Sequence, residues 1–120
     1  MQPLTTIAAL RQALDSDALS SEALVEQMLA RARDPAGEGA RVFRKLYADQ
    51  ALAQARAFDR CRKSGMTSAQ LGPLAGMPLS IKDLFDIESE VTTAGSVVLR
   101  DNPPAMRDAP AMRRLRRARF

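Results

Sequence analysis

The feature that most constrains this chain is a change of hydrophobic period part-way along it. Up to Gly65 the apolar residues recur at the three- and four-residue spacing of helices, whereas from Leu71 to Ser96 short apolar runs are punctuated by glycine and proline. One element cannot satisfy both periods, because helical side chains share a face every 3.6 residues and strand side chains every second residue. The pattern predicts helices over 1–65, strand and loop over 71–100, and a helix over 109–119. The expected class is α/β.

Ile7, Leu10 and Leu14 predict a first helix, capped by Thr5 or Thr6. Ser20 is placed to cap the next one, with Leu19 and Leu24 as a hydrophobic staple. Leu24, Val25, Met28, Leu29 and Ala32 form its buried stripe, and Asp34-Pro35 ends it. Val42, Phe43, Leu46 and Tyr47 match a helical period over 41–47. From Asp49 as N-cap, Ala51, Leu52, Ala55, Phe58 and Cys61 carry a helix to Gly65. Ala111, Met112, Leu115 and Ala118 make a further helical stripe.

A length of 120 residues allows one modest domain, and 46% hydrophobic with 27% charged residues is ordinary globular usage. MQPLTTIAAL has no basic n-region and no apolar run is long enough to span a bilayer, so the chain reads as cytoplasmic. The single cysteine, Cys61, excludes an intrachain disulfide, and the lack of histidine excludes Ser-His-Asp and Cys-His chemistry and a tetrahedral zinc site within these residues. The net charge of +4 is local, since six arginines fall between Arg107 and Arg119 with only Asp108 against them. They read as the solvated face of the last helix. With aromatics at 4%, there is little for bases to stack on, which argues against nucleic acid as a partner.

Met77, Leu79 and Ile81 alternate with Pro78, Ser80 and Lys82, so a strand here turns three apolar side chains to one face and Ser80 with Lys82 to the other. Lys82 then stands at the strand's C-terminal end, where open α/β sheets bind ligands, with Asp83 pointing away from it. A lysine acts as a base near neutral pH only where desolvation or positive charge favours its neutral form. Read from the residues alone, a lysine at a strand end is far more often a solvated or salt-bridged side chain than a catalytic one. A strand without neighbours also offers an open edge, and self-association through it is expected.

Gly72-Pro73-Leu74-Ala75-Gly76-Met77-Pro78-Leu79-Ser80-Ile81-Lys82-Asp83, followed by Thr92-Thr93-Ala94-Gly95-Ser96, closely resembles the pattern around the catalytic lysine of the amidase-signature family. The helix carrying Ala51, Ala55 and Asp59, and Asp108-Ala109-Pro110 with its arginine-rich helix, are similar to that family as well. The resemblance implies the N-terminal portion of one amidase-signature domain over 1–120: helices followed by the first strands of an α/β/α fold. It also implies hydrolysis of carboxylic amides through an acyl-enzyme, without metal or organic cofactor. In that family a serine is the nucleophile, a second serine with a cis peptide bond bridges it to a lysine, and the lysine takes the nucleophile's proton.

The resemblance gives Lys82 the base role. Ser80 matches the residue two before that lysine, where its hydroxyl either supports the site or is an ordinary polar residue near a strand end. The family's glycine- and serine-rich segment lies downstream and is not matched within 1–120, so these residues are expected to be inactive alone. Ser96 does not replace it, since TTAGS lacks a nucleophile elbow and reads as a turn at Gly95. The family also has glycine near position 119, where this chain has Arg119-Phe120. The glutamine-hydrolysing component of a tRNA-dependent amidotransferase is a close variant of the reading. A small basic helical interaction protein and an inert remnant are the alternatives of another class.

Overall fold

The structure is a computed structural model that describes residues 6–119. It comprises two compact units, residues 1–78 and 79–120.

In the first unit, α1 (Ile7–Asp15) is capped by Thr6, whose hydroxyl accepts from the Ala9 amide at 3.0 Å. The other expected cap, Thr5, lies outside the described residues. α2 (Ser21–Arg33) starts at Ser20, whose hydroxyl accepts from Ala23, and ends at Asp34, which is extended ahead of Pro35. It buries Leu24 and Val25 and packs chiefly on α4 (Ala48–Lys63). The start of α2 is also tied to α4. The Asp59 carboxylate of α4 takes the Ser21 and Glu22 amides at 2.7 and 2.9 Å, two donors the helix itself leaves unsatisfied.

α3 (Gly39–Val42) is shorter than the helical period over 41–47 predicted, because Phe43 is already extended. A Cβ at Gly39 would stand 1.9 Å from the Ala32 carbonyl oxygen, so α3 meets α2 backbone to backbone. α4 is capped at Tyr47 and not at the expected Asp49, which lies in its first turn, where an acid suits the positive helix end. Ala55 is its buried residue, with Ala51, Leu52, Phe58 and Cys61 half-buried beside it. After α5 (Ser68–Leu71), tied to α1 by Asp15 accepting from the Ser68 amide and hydroxyl, Ala75 and Met77 return to the core.

In the second unit, α6 (Pro110–Arg117) opens with proline at a position that needs no amide hydrogen. It buries Met112, half-buries Ala111, Leu115 and Ala118, and leaves its arginines exposed, as the stripe predicted. Asp108 ties the loop to this helix, accepting from the Glu88 amide at 2.9 Å and from Arg116.

The expected α/β class is corrected here: the described residues form helices, turns and a short 3₁₀ turn at Val97–Leu99, and no strand. The alternation at 77–82 does not hold either, since Met77 is buried while Leu79 is exposed. The physical reason is that a strand exists through ladder bonds to a neighbour. Among the described residues the alternating segment has no neighbouring strand to pair with, and the backbone at its end closes into a turn instead. Without a sheet among the described residues there is no sheet edge, so self-association through one has no basis.

Candidate active site

Lys82 lies where two stretches of the second unit fold back on each other. Its carbonyl accepts from the Leu84 amide at 2.7 Å and the Phe85 amide at 3.2 Å, which closes a turn immediately after it. The next residue, Asp83, accepts from the Thr93 amide at 3.0 Å and the Thr93 hydroxyl at 2.5 Å. One step further out, the Thr92 hydroxyl donates to Asp86 at 2.7 Å, and the Asp86 carbonyl accepts from Ala109. The backbone around Lys82 is therefore anchored on its C-terminal side. Its side chain is exposed and, among the described residues, makes no hydrogen bond or ion pair.

Ser80 is exposed as well. Ser96 is committed elsewhere: its hydroxyl accepts from Val98 at 3.3 Å and its amide donates to the Thr93 carbonyl at 2.7 Å. The expected turn is present, with Ala94 and Gly95 at φ of 50° and 72°. The structure thus brings the TTAGS segment against Asp83 and not against Lys82. A nucleophile poised on Lys82 is not found among the described residues, nor is any group of three or more Cys, Asp or Glu side chains able to hold a metal.

The first half of the motif belongs to the other unit, where Arg62 holds it. This side chain is 10% exposed; it donates to the Ala75 carbonyl at 2.9 Å and the Ser21 hydroxyl at 3.3 Å, with Asp15 3.6 Å from its Nε. Gly76, at φ +80°, fits against Ser21 because it has no Cβ. A cleft of 280 Å³ in this unit, walled by Leu14, Leu19, Arg60 and Lys63, contains none of Ser80, Lys82 or Ser96.

Electrostatically, the second unit's strongest feature is Asp108. The Arg116 guanidinium, the Glu88 amide and the charge of Arg113 hold its carboxyl below the usual carboxylate range, against a smaller opposing effect of burial. The residues that sequence reasoning missed are Arg62 and Thr93. Paired threonines ten residues after a Lys-Asp step were the available signal for the second. A buried arginine has none in the sequence.

The Amidase family model matches residues 23–119. The chain is 38% identical over 113 residues to a component of the glutamyl-tRNA(Gln) amidotransferase of Streptomyces coelicolor, covering 94% of this chain and 22% of that one. It is 46% identical over 70 residues to AtzE, a component of the 1-carboxybiuret hydrolase of Pseudomonas sp. strain ADP, covering 58% and 15%. A solved structure of a vestigial protein complex, bearing on the origins of an s-triazine catabolic enzyme, superposes with a TM-score of 0.80 at 34% identity, over 95% of this chain and 24% of that one. The chain spans about a fifth of the length of the curated relatives it matches. With the family pattern running through both units and the lysine motif at its centre, the chain belongs to the amidase family.

Proposed function

We propose that residues 1–120 are the lysine-bearing N-terminal portion of one amidase domain, and that Lys82 is its general base. The observation that carries this reading is the setting of Lys82 within Gly72–Asp83: the backbone beside it is anchored, and its ammonium has no partner among the described residues. A base must hold its place while keeping its nitrogen available to another group.

The substrate class is carboxylic amides. A serine from the family's downstream glycine- and serine-rich segment attacks the amide carbonyl as its hydroxyl proton passes to Lys82 Nζ, directly or through the bridging serine. The proton then goes to the leaving nitrogen, ammonia or an amine departs, and water releases the acid from the acyl-serine. Lys82 is exposed in the second unit, which leaves its nitrogen open to a group from the downstream segment. Two variants of this reading are proposed, a stand-alone amidase and an amidotransferase component that takes ammonia from glutamine, each as a cytoplasmic protein that needs no cofactor; the amidotransferase relatives support the second.

The test joins residues 1–120 to the downstream length of a close relative and follows hydrolysis of glutamine and simple amides. Lys82→Ala is expected to cut turnover by about 10²–10⁴-fold, the scale of a lost general base, with thermal stability unchanged. Turnover within a few-fold of the parent would reject Lys82 as the base.

A further inference from the structure

We propose that Asp83 and Thr93 are a positioning pair for Lys82, a role that rests on the reading of Lys82 as the base. A base on a flexible side chain depends on where its backbone starts, and a small misplacement lowers a rate sharply. Here the residue after Lys82 receives two hydrogen bonds from one partner, the Thr93 amide at 3.0 Å and hydroxyl at 2.5 Å. Thr93 is 5% exposed, so water competes little for this contact. The partner is itself secured, since its carbonyl accepts from Ser96 across the Ala94-Gly95 turn. Lys82 therefore sits between its own closed turn, at the Leu84 and Phe85 amides, and a clamp attached one residue away.

This accounts for a motif that a turn alone leaves unexplained. A turn at Ala94-Gly95 needs no particular residue at 93, whereas the clamp needs a hydroxyl on a buried side chain. It also gives Asp83 a purpose other than pairing with Lys82. The carboxylate that accepts from the Thr93 amide and hydroxyl anchors the backbone next to the lysine.

The chain of 120 residues can be tested directly. It has three lysines, Lys45, Lys63 and Lys82, so ¹³C-dimethylated lysine signals resolve Lys82 against two references in the other unit. Thr93→Val keeps the shape and the amide but removes the hydroxyl donor. It is expected to speed hydrogen exchange at the Leu84 and Phe85 amides by about tenfold, as loss of a hydrogen bond to a charged group does. The Lys82 signal is expected to shift while Lys45 and Lys63 hold, and Thr93→Ser to restore both readings. Unchanged exchange and an unchanged Lys82 signal in Thr93→Val, or no recovery in Thr93→Ser, would overturn the proposal.

Should Thr93→Val unfold the second unit, seen in the Met112 methyl signal, Asp83→Asn carries the same comparison. Faster exchange at Leu84 and Phe85 supports the clamp, and parental exchange overturns it. None of these readings involves turnover, so an activity assay that rejects Lys82 as the base leaves the clamp separately decided.

Discussion

Gly76→Ala should be among the most damaging single-atom additions in the first unit. A Cβ at this position would lie 2.2 Å from the Ser21 hydroxyl oxygen, 3.1 Å from its Cβ and 3.2 Å from an Arg62 nitrogen. Neither neighbour can step aside, because Ser21 is fully buried beneath the start of α2 and Arg62 is held by Ala75 and Ser21. Two costs add. Left-handed backbone at φ +80° costs a residue with a side chain about 1–2 kcal/mol, and forcing a methyl into a packed site about 1–3 kcal/mol. The sum, about 2–5 kcal/mol, is a large share of the roughly 5–15 kcal/mol that holds a typical domain together.

Gly65→Ala supplies the control within the same unit: its φ is +94°, yet nothing lies within 4 Å of the added carbon, so only the backbone cost of about 1–2 kcal/mol applies. Hydrogen exchange of the α2 and α4 amides measures both variants as opening free energies. The excess of Gly76→Ala over Gly65→Ala isolates the overlap with Ser21 and Arg62. An excess of zero would refute the close packing of the motif segment on α2.

Asp59→Ala removes the acceptor for two α2 amides while Ser20 still caps a third, so α2 should lose about 1–2 kcal/mol, read as faster exchange confined to its first turn. Asp59→Asn should recover part of that loss. For Asp108 the folded carboxyl titrates below its unfolded value, so its contribution is present above the ordinary carboxylate range of about pH 4 and disappears as pH falls through the folded value. The Glu88 amide should therefore lose protection in acid, and Arg116→Gln should move that loss to higher pH. Residues 1–120 alone, with no nucleophile on Lys82 among the described residues, should release no ammonia from glutamine above a buffer blank, and a serine-directed acyl probe should leave Ser80 and Ser96 unlabelled.

Where a side chain caps or a proline breaks a helix, its end was legible because that chemistry is local, whereas α4, whose cap Tyr47 makes no side-chain capping bond, starts before the expected Asp49. Thr6 and Ser20 accept amides three residues on, Asp34 is pushed out of helical geometry by Pro35, and Met112 with Leu115 marks the inner face of α6. Periodicity failed where an element was too short or had no partner. Val42, Phe43, Leu46 and Tyr47 fit a helical period, but α3 ends at Val42. Met77, Leu79 and Ile81 fit a strand period, but no neighbouring segment pairs with them among the described residues. The polar ties were the least legible. Asp59 reaches 38 residues back to Ser21, Arg62 reaches 13 forward to Ala75, and Asp83 meets Thr93 ten residues on. Such pairs leave no period in a sequence, and Lys82 itself stood out through its motif and not through its spacing.

Whether Lys82 takes a proton is read from Lys82→Arg in residues 1–120 joined to the downstream length of a close relative. Guanidinium keeps the positive charge and much of the length but does not give up a proton at working pH. Lys82→Arg is expected to hydrolyse amides nearly as poorly as Lys82→Ala, about 10²–10⁴-fold below the parent, with an unchanged melting temperature. If arginine restores most of the rate, position 82 supplies charge alone and another group takes the proton.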